Sequence, residues 1–118
     1  MPMPGPIRLL LAALALVLAA PAPAQSQPFV ITTRGVDKPG TISAVTTAIA
    51  SLACNVVNFR AIITQEDGVD EMIMIFEVDV PMGVEHRRLR QAMQEVCVGF
   101  GLDVSVQHRD IFETIHRV

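Results

Sequence analysis

An α+β sandwich of element order βαββαβ, with a four-stranded antiparallel sheet and two helices on one face, is predicted by three features of the sequence. Apolar residues recur at period two or at helical spacing in the order strand, helix, strand, strand, helix, strand. Asp67-Gly68 separates the second and third strand-like stretches, and Asp-Gly between alternating runs is the strongest short-range hairpin signal. Pro39-Gly40 joins the first strand to the first helix, a junction that demands a tight turn. The hairpin makes strands two and three antiparallel. Right-handed crossovers then place both helices on one side, the split βαβ or ferredoxin-like arrangement.

Strand one is expected over residues 29–36, where Val30, Ile31, Thr32 and Thr33 supply β-branched side chains. The first helix is expected over 41–54, with Ile42, Val45, Ile49 and Leu52 in one stripe and Asp37 or Thr41 as the cap. Strand two covers 55–65. It sets Val57, Phe59, Ala61 and Ile63 against Asn58, Arg60 and Thr64 on the other face. Strand three covers 71–80, with Met72, Met74, Phe76, Val78 and Val80 inward. Pro81-Met82-Gly83 breaks it, and a second helix over 84–100 carries the stripe Leu89, Ala92, Met93, Val96 and Phe100. Gly99 and Gly101 end that helix, and strand four over 102–108 turns Leu102, Val104 and Val106 inward. The tail places Ile111, Phe112 and Ile115 at helical spacing and should dock as a short helix. The sheet face away from the helices carries Ile62, Ile73 and Ile75 among Arg60, Glu77 and Asp79. A half-apolar open face on so small a domain implies a partner, most simply a homodimer.

The chain has 118 residues, room for one domain. Residues 1–24 read as a secretory leader: Arg8, then an apolar run from Leu9 to Ala20, then Ala22-x-Ala24 before a cleavage point. Residues 25–28 would link it to a single domain over 29–118. Export to the periplasm or beyond is therefore expected, with no membrane association after cleavage. A start at Val17 through an alternative codon would instead keep the product in the cytoplasm.

A net charge of -3 and the absence of Trp and Tyr argue against nucleic acid, which needs a basic face and stacking rings. Cys54 and Cys97 have neither zinc nor redox spacing, and they fall at opposite ends of the predicted sheet, too far apart to bridge. No cofactor is expected. His86, His108 and His116 lack metal spacing. Glu66, Asp67, Asp70 and Glu71 read as a solvated turn, Arg87, Arg88 and Arg90 as a solvated helix face. His108-Arg109-Asp110 echoes a kinase catalytic loop, but no glycine-rich loop or strand lysine accompanies it. No nucleophile, base and acid come together in the pattern, so the chain reads as a binder rather than an enzyme. The first loop also lacks the Cys-x-x-Cys of a heavy-metal carrier and the extended glycine-rich form of an acylphosphatase-like enzyme.

The remaining candidate is the stretch 34–42. Glycine there lets backbone N–H groups approach a ligand, and the start of a helix favours a carboxylate. Gly35-Val36-Asp37-Lys38-Pro39-Gly40-Thr41-Ile42, with Asn55 opening the next strand, resembles the pattern of the ACT domain. The end of the chain, residues 104–118, resembles the tail of small single-ACT proteins similar to the N-terminal module of formyltetrahydrofolate deformylase and to glycine-cleavage regulators. The resemblance implies a non-catalytic regulatory module that binds an amino acid or similar metabolite where the first loop of one subunit meets its partner. It assigns that pocket to Asp37, Pro39, Gly40, Thr41 and Asn55. The alternative is an interaction module that pairs through its open sheet face and takes no small molecule.

Overall fold

The computed structural model describes residues 25–116; the expected leader lies outside them. The elements are β1 (Ser26–Val36), α1 (Thr41–Ser51), β2 (Asn55–Glu66), β3 (Val69–Pro81), α2 (His86–Gly99), β4 (Asp103–His108) and α3 (Arg109–His116). The sheet order is β2-β3-β1-β4 with every neighbouring pair antiparallel. This is the predicted ferredoxin-like sandwich. β1 starts earlier than expected: Ser26, Gln27 and Pro28, expected to link, pair with Pro81, Val80 and Asp79.

The core lies between the sheet and the first two helices. β3 alternates strictly, with Met72, Met74, Phe76, Val78 and Val80 buried. Phe29 and Ile31 of β1 lie beside them, opposite Val78 and Phe76. α1 contributes Val45 and Ile49, and α2 contributes Leu89, Met93 and Cys97. The predicted stripes shift at their ends. Ile42 of α1 is 43% exposed, and Ala92, Val96 and Phe100 only border the core.

Both helices end the same way. In α1 the N–H of Ala53 reaches Ala50 O and that of Cys54 reaches Ile49 O; in α2, Gly101 reaches Val98 O and Leu102 reaches Cys97 O. This paired closure needs a left-handed residue just past the helix. Gly101 supplies it at φ +71°, and Ala53 supplies it at φ +59°. The alanine carries no stop signal in sequence, which is why α1 was expected to run on to residue 54. Asp67 and Gly68 both take positive φ, as the predicted hairpin turn requires.

Two strands depart from the prediction. β2 is an edge strand, exposed along nearly its whole length. Its register slips between Val56 and Asn58, so Val57 is bulged out of the ladder. Phe59, Ala61 and Ile63 then face the core side opposite Phe76, Met74 and Met72, while Val57 stands 56% exposed instead of joining them. α3 contacts β1 and β4. Val30, which by alternation from Phe29 and Ile31 points to the sheet face away from the first two helices, is 2% exposed. The expected docking stripe of α3 is corrected: Ile111 and Ile115 stay more than half exposed, and Phe112 is the half-buried residue. The face over β2 and β3 remains open, with Ile62 47% exposed and Ile73 and Ile75 partly so.

Both cysteines are buried and unbridged. Burial pushes both thiols above their ordinary pKa, because the thiolate is poorly solvated there. Among the described residues no helix is long and apolar enough to cross a membrane.

Candidate functional site

The loop from β1 to α1 leaves the first amides of α1 without a side-chain cap. Gly40 is the N-cap residue and is left-handed, φ +82°. Only glycine takes that conformation at little cost. It has no side chain to offer. Thr41, expected as a cap, is buried and turns its hydroxyl back to donate to Lys38 O at 2.8 Å. Asp37 does not cap either; its own N–H donates to Asp70 O at 3.1 Å and ties the loop to the β2–β3 hairpin. The helix therefore begins with uncapped N–H groups and the positive end of its dipole.

Those groups open into a cavity of ≈ 640 Å³ lined by residues 37–43 together with Thr46 and Met72. The lining mixes a carboxylate, an ammonium and open helix amides with the apolar walls of Pro39, Ile42 and Met72. A carboxylate suits the helix start, and an ammonium suits Asp37. Thr46 is less free than it looks, since its hydroxyl donates to Ile42 O at 2.8 Å.

Asp37, Pro39, Gly40 and Thr41 all line this cavity. Neither the hydroxyl nor the N–H of Thr41 is open to a ligand, since both donate to Lys38 O, at 2.8 and 3.4 Å; the open amides are those of Ile42 and Ser43. Asn55 is elsewhere within the chain. It opens β2 opposite Asp79, whereas Asp37 bonds Asp70 at the other end of β3. At about 3.3 Å per residue these ends are roughly 30 Å apart. The reason is topological: α1 runs from the loop end of the sheet to the far end, so β2 has to start there. Pattern reading missed Lys38, Ile42, Ser43, Thr46 and Met72 as lining residues. The helical period that sets Thr46 four residues from Ile42 and three from Ser43 was the available signal for the α1 side.

A Gly40→Ala substitution isolates the loop conformation. An added Cβ meets nothing within 4 Å. The expected cost is therefore backbone strain alone, about 1–2 kcal/mol, read as a lower urea midpoint with an unchanged m-value.

The other sequence candidates have structural roles. His86 and His108 pack edge-on against Phe29, with ring centroids 4.4 and 5.3 Å away. His108 Nδ1 accepts the Asp110 N–H at 3.1 Å, which caps α3 and accounts for the His108-Arg109-Asp110 triplet. In the hairpin cluster Glu71 pairs with Arg34, and Gln65 donates to Asp70 at 3.3 Å. No group of three or more potential metal-ligating side chains occurs among the described residues.

An antiparallel α+β sandwich with a glycine turn opening a helix onto a small cavity is a small ferredoxin-like domain with a candidate ligand site. The ACT domain family model matches residues 29–93, and the chain belongs to that family. ACT domains are regulatory modules that bind small molecules. A UPF0237 protein of Methanococcus maripaludis is 34% identical over 90 residues, which are 75% of this chain and 96% of that protein. Among solved structures, the ACT domain protein from Streptococcus pneumoniae superposes with a TM-score of 0.62 at 24% identity, over 75% of this chain and 96% of that one. The formyltetrahydrofolate deformylase from Pseudomonas putida gives 0.61 at 18% identity. The match covers 68% of this chain and only 28% of the deformylase. The likeness to these two structures is one of fold.

Proposed function

We propose that this chain is a non-catalytic regulatory module that binds an amino acid, or a small metabolite with the same charged groups, at the seam of a homodimer. The observation that carries the reading is the uncapped start of α1 inside a cavity that also holds Asp37. The ligand carboxylate takes the helix amides, and its ammonium takes Asp37.

The homodimer is supported by β2. This strand is twelve residues long, presents an open hydrogen-bonding edge and contains neither proline nor lysine to protect it. On the helix side it exposes Phe59 and Ile63, 38% and 58% exposed. Two copies joined antiparallel along β2, with the twofold near Arg60 and Ala61, form a continuous eight-stranded sheet. The same symmetry sets Asn55 of the partner subunit opposite Glu66, at the loop end where the cavity lies. The roughly 30 Å between Asp37 and Asn55 within one chain then falls to about 14 Å between chains, three strand spacings, which the two side chains and a ligand between them can span.

The test is a thermal-shift and calorimetric screen of the protein amino acids. At least one is expected to raise the melting temperature, and Asp37→Ala is expected to weaken that binding about tenfold or more, the worth of one charge-assisted hydrogen bond. Silence across the whole set would remove the reading. The open face around Ile62, Ile73 and Ile75 favours the second reading, a module that pairs through this face without a ligand. It predicts a dimer indifferent both to amino acids and to Asn55→Ala. We also place the mature protein outside the cytoplasm, on the leader expected in residues 1–24. N-terminal sequencing that begins at Gln25 supports this, and sequencing that finds residues 17–24 intact opposes it.

A further inference from the structure

Two contacts tie the cavity loop to the corner where α2 turns into β4. Lys38, which lines the cavity, reaches away from it so that Nζ donates to Phe100 O at 3.1 Å. Phe100 is the C-cap residue of α2. The closure of α2 uses the carbonyls of Cys97 and Val98 and leaves that of Phe100 for the lysine. The second contact is steric. A Cβ on Gly35 would come within 2.6 Å of Leu102 Cδ2 and 3.2 Å of Gly101 O, so the end of β1 lies directly against the same corner. The ammonium rests on a neutral carbonyl at the negative end of a helix, while its residue lines the cavity, so its flexible stem gives it a second acceptor in any anion that enters there.

Taking the cavity as the amino-acid site argued above, we propose that Lys38 both reads the ligand carboxylate and reports its arrival to the α2–β4 corner. An ion pair with a full carboxylate charge outcompetes a bond to a neutral carbonyl, even one carrying the partial charge of a helix end. Binding therefore draws Nζ off Phe100 O. The corner loses its strap. The left-handed Gly101 and the two amides that close α2 become easier to open. The segment so loosened carries Val98, 67% exposed at the end of α2, and Phe100, half-buried against the core. It is the part of the molecule through which occupancy is passed to whatever the module regulates.

The experiment is hydrogen exchange at the Gly101 and Leu102 amides of the full chain. The probes are the amino acid that gives the largest thermal shift and its α-carboxamide, which lacks the carboxylate charge. With the amino acid, exchange at both amides is expected to rise several-fold; with the carboxamide it is expected to stay at the free level. Lys38→Met keeps the stem and loses the charge. Its corner is expected to exchange fast without ligand and to show no further change, and its affinity is expected to fall about tenfold. Lys38→Arg is expected to keep both responses. Lys38 is exposed, so neither variant is expected to unfold. Binding by the wild type with unchanged exchange at Gly101 and Leu102 overturns the role of Lys38 alone. Absence of binding by any amino acid overturns the site itself.

Discussion

Replacing Phe76 by alanine is expected to cost about 3–5 kcal/mol of folding free energy. Phe76 is fully buried at the middle of β3, a central strand. It lies opposite Ile31 on one side and Phe59 on the other, with the two phenyl rings 4.9 Å apart. The truncation removes apolar area from the core and leaves a cavity that β-sheet backbone cannot collapse to fill. For a domain of this size, about 1 kcal/mol corresponds to 4–8 °C of melting temperature. A drop of about 12–40 °C is therefore expected by differential scanning calorimetry. Phe59→Ala makes a useful contrast. Phe59 is 38% exposed on the edge strand, so its loss is mild for an isolated chain. In a dimer joined along β2 the same ring becomes buried, and the cost then rises with protein concentration. A Phe76 truncation that costs under about 1 kcal/mol would contradict the assigned core.

The second large effect is in binding. Each site in the proposed dimer takes Asp37 from one subunit and Asn55 from the other. Asp37→Ala and Asn55→Ala homodimers are each expected to bind about tenfold more weakly or worse, so that at a ligand concentration near the wild-type Kd their sites stay largely empty. Unfolding and refolding the two variants together yields mixed dimers. In a mixed dimer one site has lost both groups and the other has kept both. A random mixture should therefore recover about a quarter of the wild-type sites by calorimetry, an outcome that only a shared site can give. A site contained within one chain recovers nothing, because every chain then carries a defect. Recovery without a dimer in sedimentation would equally exclude the arrangement.

Gly40 shows how far a local signal reaches. Proline followed by glycine between a strand and a helix marks a tight turn, and the turn occurs there with Gly40 left-handed. What the pair does not reveal is the use made of the neighbouring side chains. Thr41 looks like a cap in sequence, but Gly40 takes the N-cap position, and the Thr41 hydroxyl donates back to Lys38 O instead of accepting a helix amide. Lys38 itself has no distinguishing mark in the sequence. Its partner Phe100 is 62 residues away. Val57 fails for a related reason: alternation assigns it a face, and a one-residue slip against β3 reassigns it.

The sequence by itself determined the order of elements, the hairpin, the inward face of β3 and the turn that opens the cavity. Each of these depends on side chains within a few residues of one another, where the strand and helix periods and the φ preferences of glycine and proline act directly. Tertiary structure alone decided where α1 stops, that Val57 leaves the β2 ladder, that β2 is an open edge and that Lys38 is strapped to the end of α2. Those outcomes depend on pairings between distant segments. The free energy of such pairings comes from the closed core, not from any local stretch of chain.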